Sequence, residues 1–269
     1  MNTTQGASAL SDFDPAAAGQ MLAQAWRSGS QLPELPEAAR PRTLREGYDL
    51  QDRFIALTGD VVAGWKLGVG SPNAMRAAGL ARPLVGRVLQ SHCHQPDAVV
   101  PLPGAAPITV EFEIAFVLGC DIGPDGPPAS LADAVSETRV TFELVLSRFS
   151  DRRSVGWPSF AGDNVGFEAL VVGNPIDPEQ IDAIAQDVVV SVDGEEKARG
   201  LAGDDLSYPW KALAALMDHA RERGITLHRG QIITTGAIAR PFDVAGRGAR
   251  ISARFPGGHL HMRTVAATI

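Results

Sequence analysis

Every second residue of the run Ile108–Leu118 is apolar, which predicts a β-strand with one unbroken apolar face. All of its even-numbered positions are apolar, whereas the opposite face carries Glu111 and Glu113, with β-carbons roughly 6.5–7 Å apart. A second run, 140–148, repeats this pattern and places Glu143 opposite its own apolar side chains. Each run therefore predicts a strand with carboxylates on one face and core residues on the other.

Short apolar runs separated by glycine or proline turns continue from residue 61 to the end of the chain, which is typical of a β-rich body. We expect two helices to interrupt it, one near 130–139 and one over 207–223, the latter ending at Gly224. The expected strands lie at 64–70, 83–89, 108–118, 141–146, 170–172, 188–192, 231–235 and 249–255.

Helical signals dominate the first 60 residues. Asp14 before Pro15 predicts the start of a helix that runs to about Trp26, and Thr43 with Glu46 predicts a capping box at a second start. Because short helices need a surface to cover, we expect residues 1–60 to form an N-terminal helical cap on a β-rich domain of residues 61–269. The predicted fold class is mixed α+β with a large, rolled sheet.

Composition and charge narrow the function classes. The 269 residues are 45% hydrophobic and 20% charged, which is ordinary for a globular protein. A net charge of -7 without a basic stripe argues against a nucleic-acid partner. Two cysteines are too few for a disulfide framework, and neither a secretory signal nor an apolar run of membrane length is visible. We therefore expect a cytoplasmic protein with no membrane partner.

The glutamates Glu111, Glu113 and Glu143 form the strongest chemical signal in the chain. Like charges that lie close together repel one another unless a cation or a proton intervenes. Hard divalent cations such as Mg²⁺ or Mn²⁺ prefer oxygen ligands, so the three side chains could hold one. The alternative is that all three lie on solvated sheet faces, where glutamate is common.

Two further segments carry candidate chemistry. Lys66 lies among glycines in the segment 64–70, where it could act as acid, base or carboxylate anchor, or be an ordinary surface lysine. Asp163 and Asn164 close the polar segment 150–164, which is suited to a lid or binding loop, although both residue types also favour simple turns.

Taken in order, these segments resemble the fumarylacetoacetate-hydrolase-like superfamily, and more closely its 2-keto-4-pentenoate hydratase and 4-oxalocrotonate decarboxylase branch. Each segment alone is a weak signal, but the ordered set is specific. The resemblance covers the chain from about Leu44 to its C-terminus. The matching segments are 64–68, 110–116, 142–148, 163–164, 224–225 and 230–237.

The resemblance implies a β-sandwich roll with an N-terminal helical cap and a functional site with three groups of residues. It implies Mg²⁺ or Mn²⁺ at the positions of the three glutamates, and catalytic roles for Lys66 and Asp163. Substrate contacts would come from Lys66 and from Arg148, Asn164, Thr235 and Gly236, with an outward salt bridge as the alternative for Arg148.

On this basis we expect a homo-oligomeric, metal-dependent lyase of aromatic-compound catabolism. It would hydrate a small 2-hydroxy-2,4-dienoate, of the 2-keto-4-pentenoate type, to a 4-hydroxy-2-oxo acid. Three alternatives remain: a decarboxylase of a 4-oxalocrotonate-like diacid, a hydrolase of an acylpyruvate, and a non-catalytic partner subunit of a related pathway enzyme.

Two departures from the branch bear on these alternatives. Leu84 stands where hydratases of the branch commonly have aspartate, and Val-Gly-Phe at 165–167 replaces their usual Ala-Ser-Ser. Both departures remove polar groups that could move a proton or position water, so they weigh more against hydration than against metal binding.

Overall fold

The computed structural model of the chain describes residues 13–104, 106–126, 130–245 and 248–267. The first twelve residues, where we expect no secretory signal, lie outside the described part. The helices are α1 (Pro15–Ser28), α2 (Leu44–Thr58), α3 (Pro72–Ala78), α4 (Gly156–Gly162), α5 (Ile181–Asp187) and α6 (Pro209–Arg223). The strands are β1 (Val62–Gly68), β2 (Leu84–Leu89), β3 (Cys93–His94), β4 (Val99–Leu102), β5 (Ile108–Leu118), β6 (Val135–Val145), β7 (Phe167–Ile176), β8 (Val189–Val192), β9 (Glu195–Arg199), β10 (Ile232–Ala237), β11 (Phe242–Val244), β12 (Arg250–Phe255) and β13 (Gly258–Ala266).

The strands form two sheets. The larger sheet has the order β2-β1-β10-β5-β6-β7-β3, with β11 paired to β5, and the smaller sheet has the order β4-β13-β12-β8-β9. The larger sheet is mixed, since β1 runs parallel to β10 whereas β5 runs antiparallel to both β10 and β6. The predicted α+β class with a large, rolled sheet is confirmed.

Both faces of the central strands are covered. On one face Phe112 of β5 lies 5.5 Å from the Phe142 ring and 5.7 Å from the Phe255 ring of the smaller sheet, centroid to centroid. On the other face Ala115 of β5 belongs to a buried cluster with Phe54 of α2. The face that carries the glutamates is therefore largely closed to water, not left on the outside of the sheet.

The N-terminal helices begin where the sequence predicts. The Asp14 side chain accepts a hydrogen bond from the Ala16 amide at the start of α1. Thr43 and Glu46 exchange the two hydrogen bonds of a capping box at the start of α2. Both helices pack on the larger sheet, and the division of the chain at residue 60 stays a prediction.

One predicted helix is wrong. The segment 130–139 contains only a short 3₁₀ turn, Ala132–Ala134, and then enters β6 at Val135. Strand β6 pairs with β5 along its whole length, and this long-range ladder outweighs the local helical preference of the segment. All eight predicted strands overlap observed ones, and Ile108–Leu118 has the predicted bounds. Among the residues described, no helix is both long and apolar enough to cross a membrane.

Candidate metal and substrate site

The pairing of β5 with β6 brings the three predicted glutamates together. Glu111 lies directly opposite Glu143, and Glu113 lies opposite Thr141. Residues two apart on one strand and opposite each other on neighbouring strands share a face of the sheet. Each glutamate accordingly offers one carboxylate oxygen, and these three oxygens lie within 4.8 Å of one another.

Burial makes this cluster electrostatically unusual. Glu113 and Glu143 are both 0% exposed and Glu111 is half-buried, so the alternative of three solvated glutamates is wrong for the first two. Burial raises the pKa of Glu113 well above its usual range, and the charges of Glu143 and Glu111 raise it further. Burial also raises the pKa of Glu143. Without a cation, the site therefore favours retaining a proton.

The hydrogen bonds of the cluster leave room for a cation. Gly236 N donates to Glu113 Oε2 at 2.8 Å, and Thr234 Oγ1 donates to Glu143 Oε2 at 3.4 Å. Glu113 Oε1 is buried and has no hydrogen-bond partner among the residues that the structure describes. An orphaned carboxylate oxygen beside two other carboxylates fits a hard divalent cation, which would supply the missing partner.

Lys66 is the cation that the structure places beside this cluster. It is 1% exposed, and its Nζ lies 2.8 Å from Glu143 Oε1 and 3.3 Å from the carbonyl oxygen of Val165. Burial lowers the pKa of Lys66, but the three carboxylate charges outweigh this effect and raise the pKa above its usual value. Gly86 gives the side chain room, since a Cβ there would lie 2.9 Å from two carbons of Lys66.

A strained turn presents the Val165 carbonyl to Lys66. Asn164, Val165 and Gly166 all have positive φ, of 53°, 52° and 70°. This conformation is uncommon for any residue with a side chain and is an outlier for β-branched valine. Asn164 fastens the turn to β2, because its side-chain Oδ1 accepts from Arg87 N at 2.6 Å and its Nδ2 donates to Arg87 O at 2.8 Å.

Asp163 and Arg148 form a buried ion pair behind this turn. Asp163 Oδ2 accepts hydrogen bonds from Ser147 Oγ at 2.6 Å and from Arg148 N at 3.0 Å, while the Arg148 side chain binds Oδ1. The guanidinium carbon of Arg148 lies 5.0 Å from the centre of the Trp26 ring. The alternative of an outward salt bridge for Arg148 is thus wrong. The predicted catalytic role of Asp163 and substrate contact of Arg148 stay predictions.

Thr235 and Gly236 differ in their relation to the cluster. The Thr235 hydroxyl donates to the Ile114 carbonyl at 2.8 Å, so its side chain is tied to β5. Gly236 holds Glu113 through its backbone and has a φ of 90°, which only glycine adopts readily. Thr141, opposite Glu113, has a buried hydroxyl without a hydrogen-bond partner among the described residues, and it is not among the predicted site residues.

Two cavities meet at Glu111. The first, of about 170 Å³, is lined by Lys66, Glu111, two arginines and an apolar wall. The arginines are Arg152 and Arg153, and the wall includes Val145, Trp157, Phe160 and Val165. The second cavity, of about 440 Å³, is lined by Glu111, Ser207, Gly236 and Arg240, among others. Since an engineered cavity of about 150 Å³ holds benzene, the first cavity can take a small organic acid.

Arg152 and Arg153 come from the predicted loop 150–164, which in the structure includes helix α4. The sequence predicts a lid or binding loop here, but neither arginine is among the predicted ligand contacts. The signal that could have found them is their position, since two adjacent cations in a loop beside a carboxylate cluster are candidates for anion binding.

Comparison with known proteins gives three consistent findings. The family model described as the fumarylacetoacetate (FAA) hydrolase C-terminal region matches residues 71–264. A 2-hydroxyhexa-2,4-dienoate hydratase of Comamonas testosteroni is 29% identical over 241 residues, which cover 86% of this chain and 90% of that protein. A 2-keto-4-pentenoate hydratase of Paraburkholderia phymatum is 28% identical over 232 residues, covering 84% of this chain and 88% of that protein.

Among solved structures, the fold is similar to that of 4-oxalocrotonate decarboxylase from Pseudomonas putida G7, determined in complex with magnesium and adipate. The TM-score is 0.81 at 23% sequence identity, and the match covers 93% of this chain and 97% of the other. At this identity the likeness establishes the fold.

Proposed function

The chain belongs to the fumarylacetoacetate hydrolase family, and from this premise we propose that it is a divalent-metal-dependent hydro-lyase acting on a small 2-hydroxy-2,4-dienoate. The product would be a 4-hydroxy-2-oxo acid. Relatives named as hydratases of such dienoates, at 28–29% identity over most of both chains, support this reaction. The observation in the structure that carries the proposal is the cluster of three glutamate oxygens within 4.8 Å.

Glu111, Glu113 and Glu143 would hold the cation, Mg²⁺ or Mn²⁺. A bound cation supplies Lewis-acid stabilisation of negative charge that develops on a substrate oxygen. Of the three residues, Glu111 is the half-buried one and borders both cavities, so it marks the side from which substrate approaches. Gly236 keeps Glu113 oriented through its backbone N–H.

Lys66 would contact the substrate directly. An ammonium group has three N–H donors, and the contacts with Glu143 and the Val165 carbonyl account for two of them. The third donor can face the cavity that Lys66 lines. This arrangement suits Lys66 to hold the substrate carboxylate or to deliver a proton to the dienoate.

Asp163 and Arg148 would act as positioning residues. Their ion pair, with hydrogen bonds on both carboxylate oxygens of Asp163, anchors the chain immediately before Asn164. A turn of three residues with positive φ persists only where its surroundings hold it. The ion pair therefore helps to keep the Val165 carbonyl beside Lys66. It also helps to keep Asn164 hydrogen-bonded to β2.

Decarboxylation of a 4-oxalocrotonate-like diacid is the second candidate, and Leu84 favours it. The Leu84 side chain is fully buried against Phe160 and Val165, where hydratases of the branch commonly have aspartate. The residues lining the 170 Å³ cavity include one carboxylate, Glu111, and it belongs to the proposed metal cluster. Decarboxylation needs no positioned water, so it tolerates this apolar surrounding better than hydration does.

Product analysis separates the two reactions. Mg²⁺-loaded protein would be incubated in parallel with 2-hydroxypenta-2,4-dienoate and with 4-oxalocrotonate, and the products identified by mass spectrometry. We expect 4-hydroxy-2-oxopentanoate from 2-hydroxypenta-2,4-dienoate. Release of CO₂ from 4-oxalocrotonate, without hydration of the dienoate, would instead identify the protein as a decarboxylase. Lys66→Met should abolish turnover, and Lys211→Met, at a lysine that stacks on Tyr208 outside the cavity, should not.

A further inference from the structure

Arg152 lines the cavity beside Lys66 but, within the part of the chain that the structure describes, forms no salt bridge. Its Nη2 donates to Thr109 Oγ1 at 3.1 Å, and its guanidinium carbon lies 5.9 Å from the centre of the Phe160 ring. A guanidinium group carries five N–H donors, and the Thr109 contact uses one of them. A cation that is held in place with donors to spare is suited to bind an anion.

The position of Arg152 relative to the glutamates sets the length of that anion. Thr109, which holds the guanidinium, precedes Glu111 by two residues on β5 and points to the same face. Two strand residues span about 6.5–7 Å. About five carbon–carbon bonds of ~1.5 Å each, in an extended zigzag, cover that distance. A short acid bound at the glutamate cluster can thus reach Arg152 with its far end.

The charges of the site point to a second negative group on the ligand. The three glutamates and Lys66 leave two negative charges, which a divalent cation would balance. A substrate with a single carboxylate would then supply one negative charge against two positive charges. These are Arg152 and, at the exposed rim of the cavity, Arg153. The nearby Asp243 accepts a hydrogen bond from Thr109 Oγ1 at 2.6 Å, but it is exposed and forms no salt bridge with Arg152.

We propose that the substrate is a dicarboxylic acid, a 2-hydroxy-2,4-dienoate whose far end carries a second carboxylate, and that Arg152 binds this distal group. The inference rests on the proposed function, because the near end of the acid must lie at the glutamate cluster. It also bears on the reaction. A guanidinium that stabilises the distal carboxylate opposes its loss as CO₂ and so favours hydration over decarboxylation.

Arg240 defines the competing arrangement. It borders the second cavity together with Ser207 and Gly236, on the other side of Glu111. An acid that extended from the glutamates in that direction would meet Arg240 in place of Arg152. The two arrangements predict opposite outcomes for substitutions of the two arginines.

Two saturated acids test the inference without turnover: 2-oxohexanedioate and 2-oxohexanoate differ only in a terminal carboxylate against a terminal methyl group. Their binding to Mg²⁺-loaded protein would be measured by isothermal titration calorimetry. Charge-assisted hydrogen bonds predict that the wild type binds the dioate about 10- to 100-fold more tightly. Arg152→Met should lose this preference while binding the monoacid with unchanged affinity, which also shows that the variant is folded.

Two control variants locate the effect. Arg240→Met should keep the preference, as should Arg254→Met, which changes an exposed arginine on β12 in the smaller sheet. Equal affinity of the wild type for both acids would overturn this inference alone and leave the proposed function standing. Loss of the preference in Arg240→Met, with Arg152→Met unaffected, would overturn the assignment to Arg152. Failure of both acids to bind would overturn the proposed function together with the inference.

Discussion

Replacing Glu113 by glutamine should separate two effects of the carboxylate cluster. The cluster lowers the stability of the metal-free protein, and it binds the cation. Glutamine has nearly the same shape, and its side-chain oxygen can still accept the hydrogen bond from Gly236 N. Two ionised carboxylates whose oxygens lie within 4.8 Å of each other repel by about 3.5 kcal/mol or more at an effective dielectric constant of 20. In metal-free wild type this repulsion, added to burial, keeps the pKa of Glu113 well above its usual range.

The raised pKa fixes the sign of the pH dependence. Between the ordinary carboxyl pKa and the raised one, the folded protein binds more protons at Glu113 than the unfolded chain does. Metal-free wild type should therefore lose stability as the pH rises through this window. Glu113→Gln should remove that loss and be at least as stable as wild type above it, as measured by urea unfolding at several pH values.

Bound metal should reverse the order of stability of wild type and Glu113→Gln. A cation at about 100 times its dissociation constant stabilises the folded protein by ~2.7 kcal/mol, which raises Tm by roughly 5–10 °C for a domain of this size. We expect this rise in wild type and in the control Glu179→Gln, at an exposed glutamate, but not in Glu113→Gln. A full Mg²⁺-dependent rise in Glu113→Gln, measured by differential scanning calorimetry, would show that the Glu113 carboxylate does not hold the cation.

Three further substitutions test the buried ion pair, a buried histidine and a buried hydroxyl by urea unfolding. Arg148→Met leaves the buried Asp163 carboxylate without its partner and should lower the free energy of unfolding by about 3–5 kcal/mol. The control Arg221→Met, at an exposed ion pair, should lower it by less than about 1 kcal/mol. Equal losses would contradict the positioning role of Arg148. Burial lowers the pKa of His219 to about 3. The free energy of unfolding of wild type should therefore fall by about 2 kcal/mol relative to that of His219→Gln between pH 7 and pH 5. Parallel pH profiles of the two proteins would contradict this. Thr141→Val removes an unpartnered buried hydroxyl and should leave metal-free protein as stable or up to about 1 kcal/mol more stable, so a clear loss would show that the hydroxyl is satisfied.

The parts of the fold that depend on local pattern could be predicted from the sequence. The apolar residue at every second position predicted the bounds of β5, and side-chain caps predicted the starts of α1 and α2. The helix predicted at 130–139 was wrong because the strand there is stabilised by pairing with β5, a contact distant in sequence. Local propensity carries no information about such a partner.

The candidate site shows the same division. Alternation places Glu111 and Glu113 on one face of a strand, and only the β5–β6 register shows that Glu143 faces them. The substrate contact of Arg148 stays a prediction; in the structure its guanidinium binds Asp163, and Arg152, four residues later, lines the cavity. Which of these two arginines lines the cavity depends on tertiary contacts that no spacing rule encodes.

In the proposed function, the three-glutamate cluster holds the cation on which hydration depends. One titration tests it most directly: metal-stripped wild type and Glu143→Gln receive increasing Mg²⁺ while the ultraviolet absorbance of 2-hydroxypenta-2,4-dienoate is followed and the product identified. We expect Mg²⁺ to restore formation of 4-hydroxy-2-oxopentanoate in wild type and not in Glu143→Gln. Hydration by wild type without added metal, or equal restoration in the variant, would contradict it.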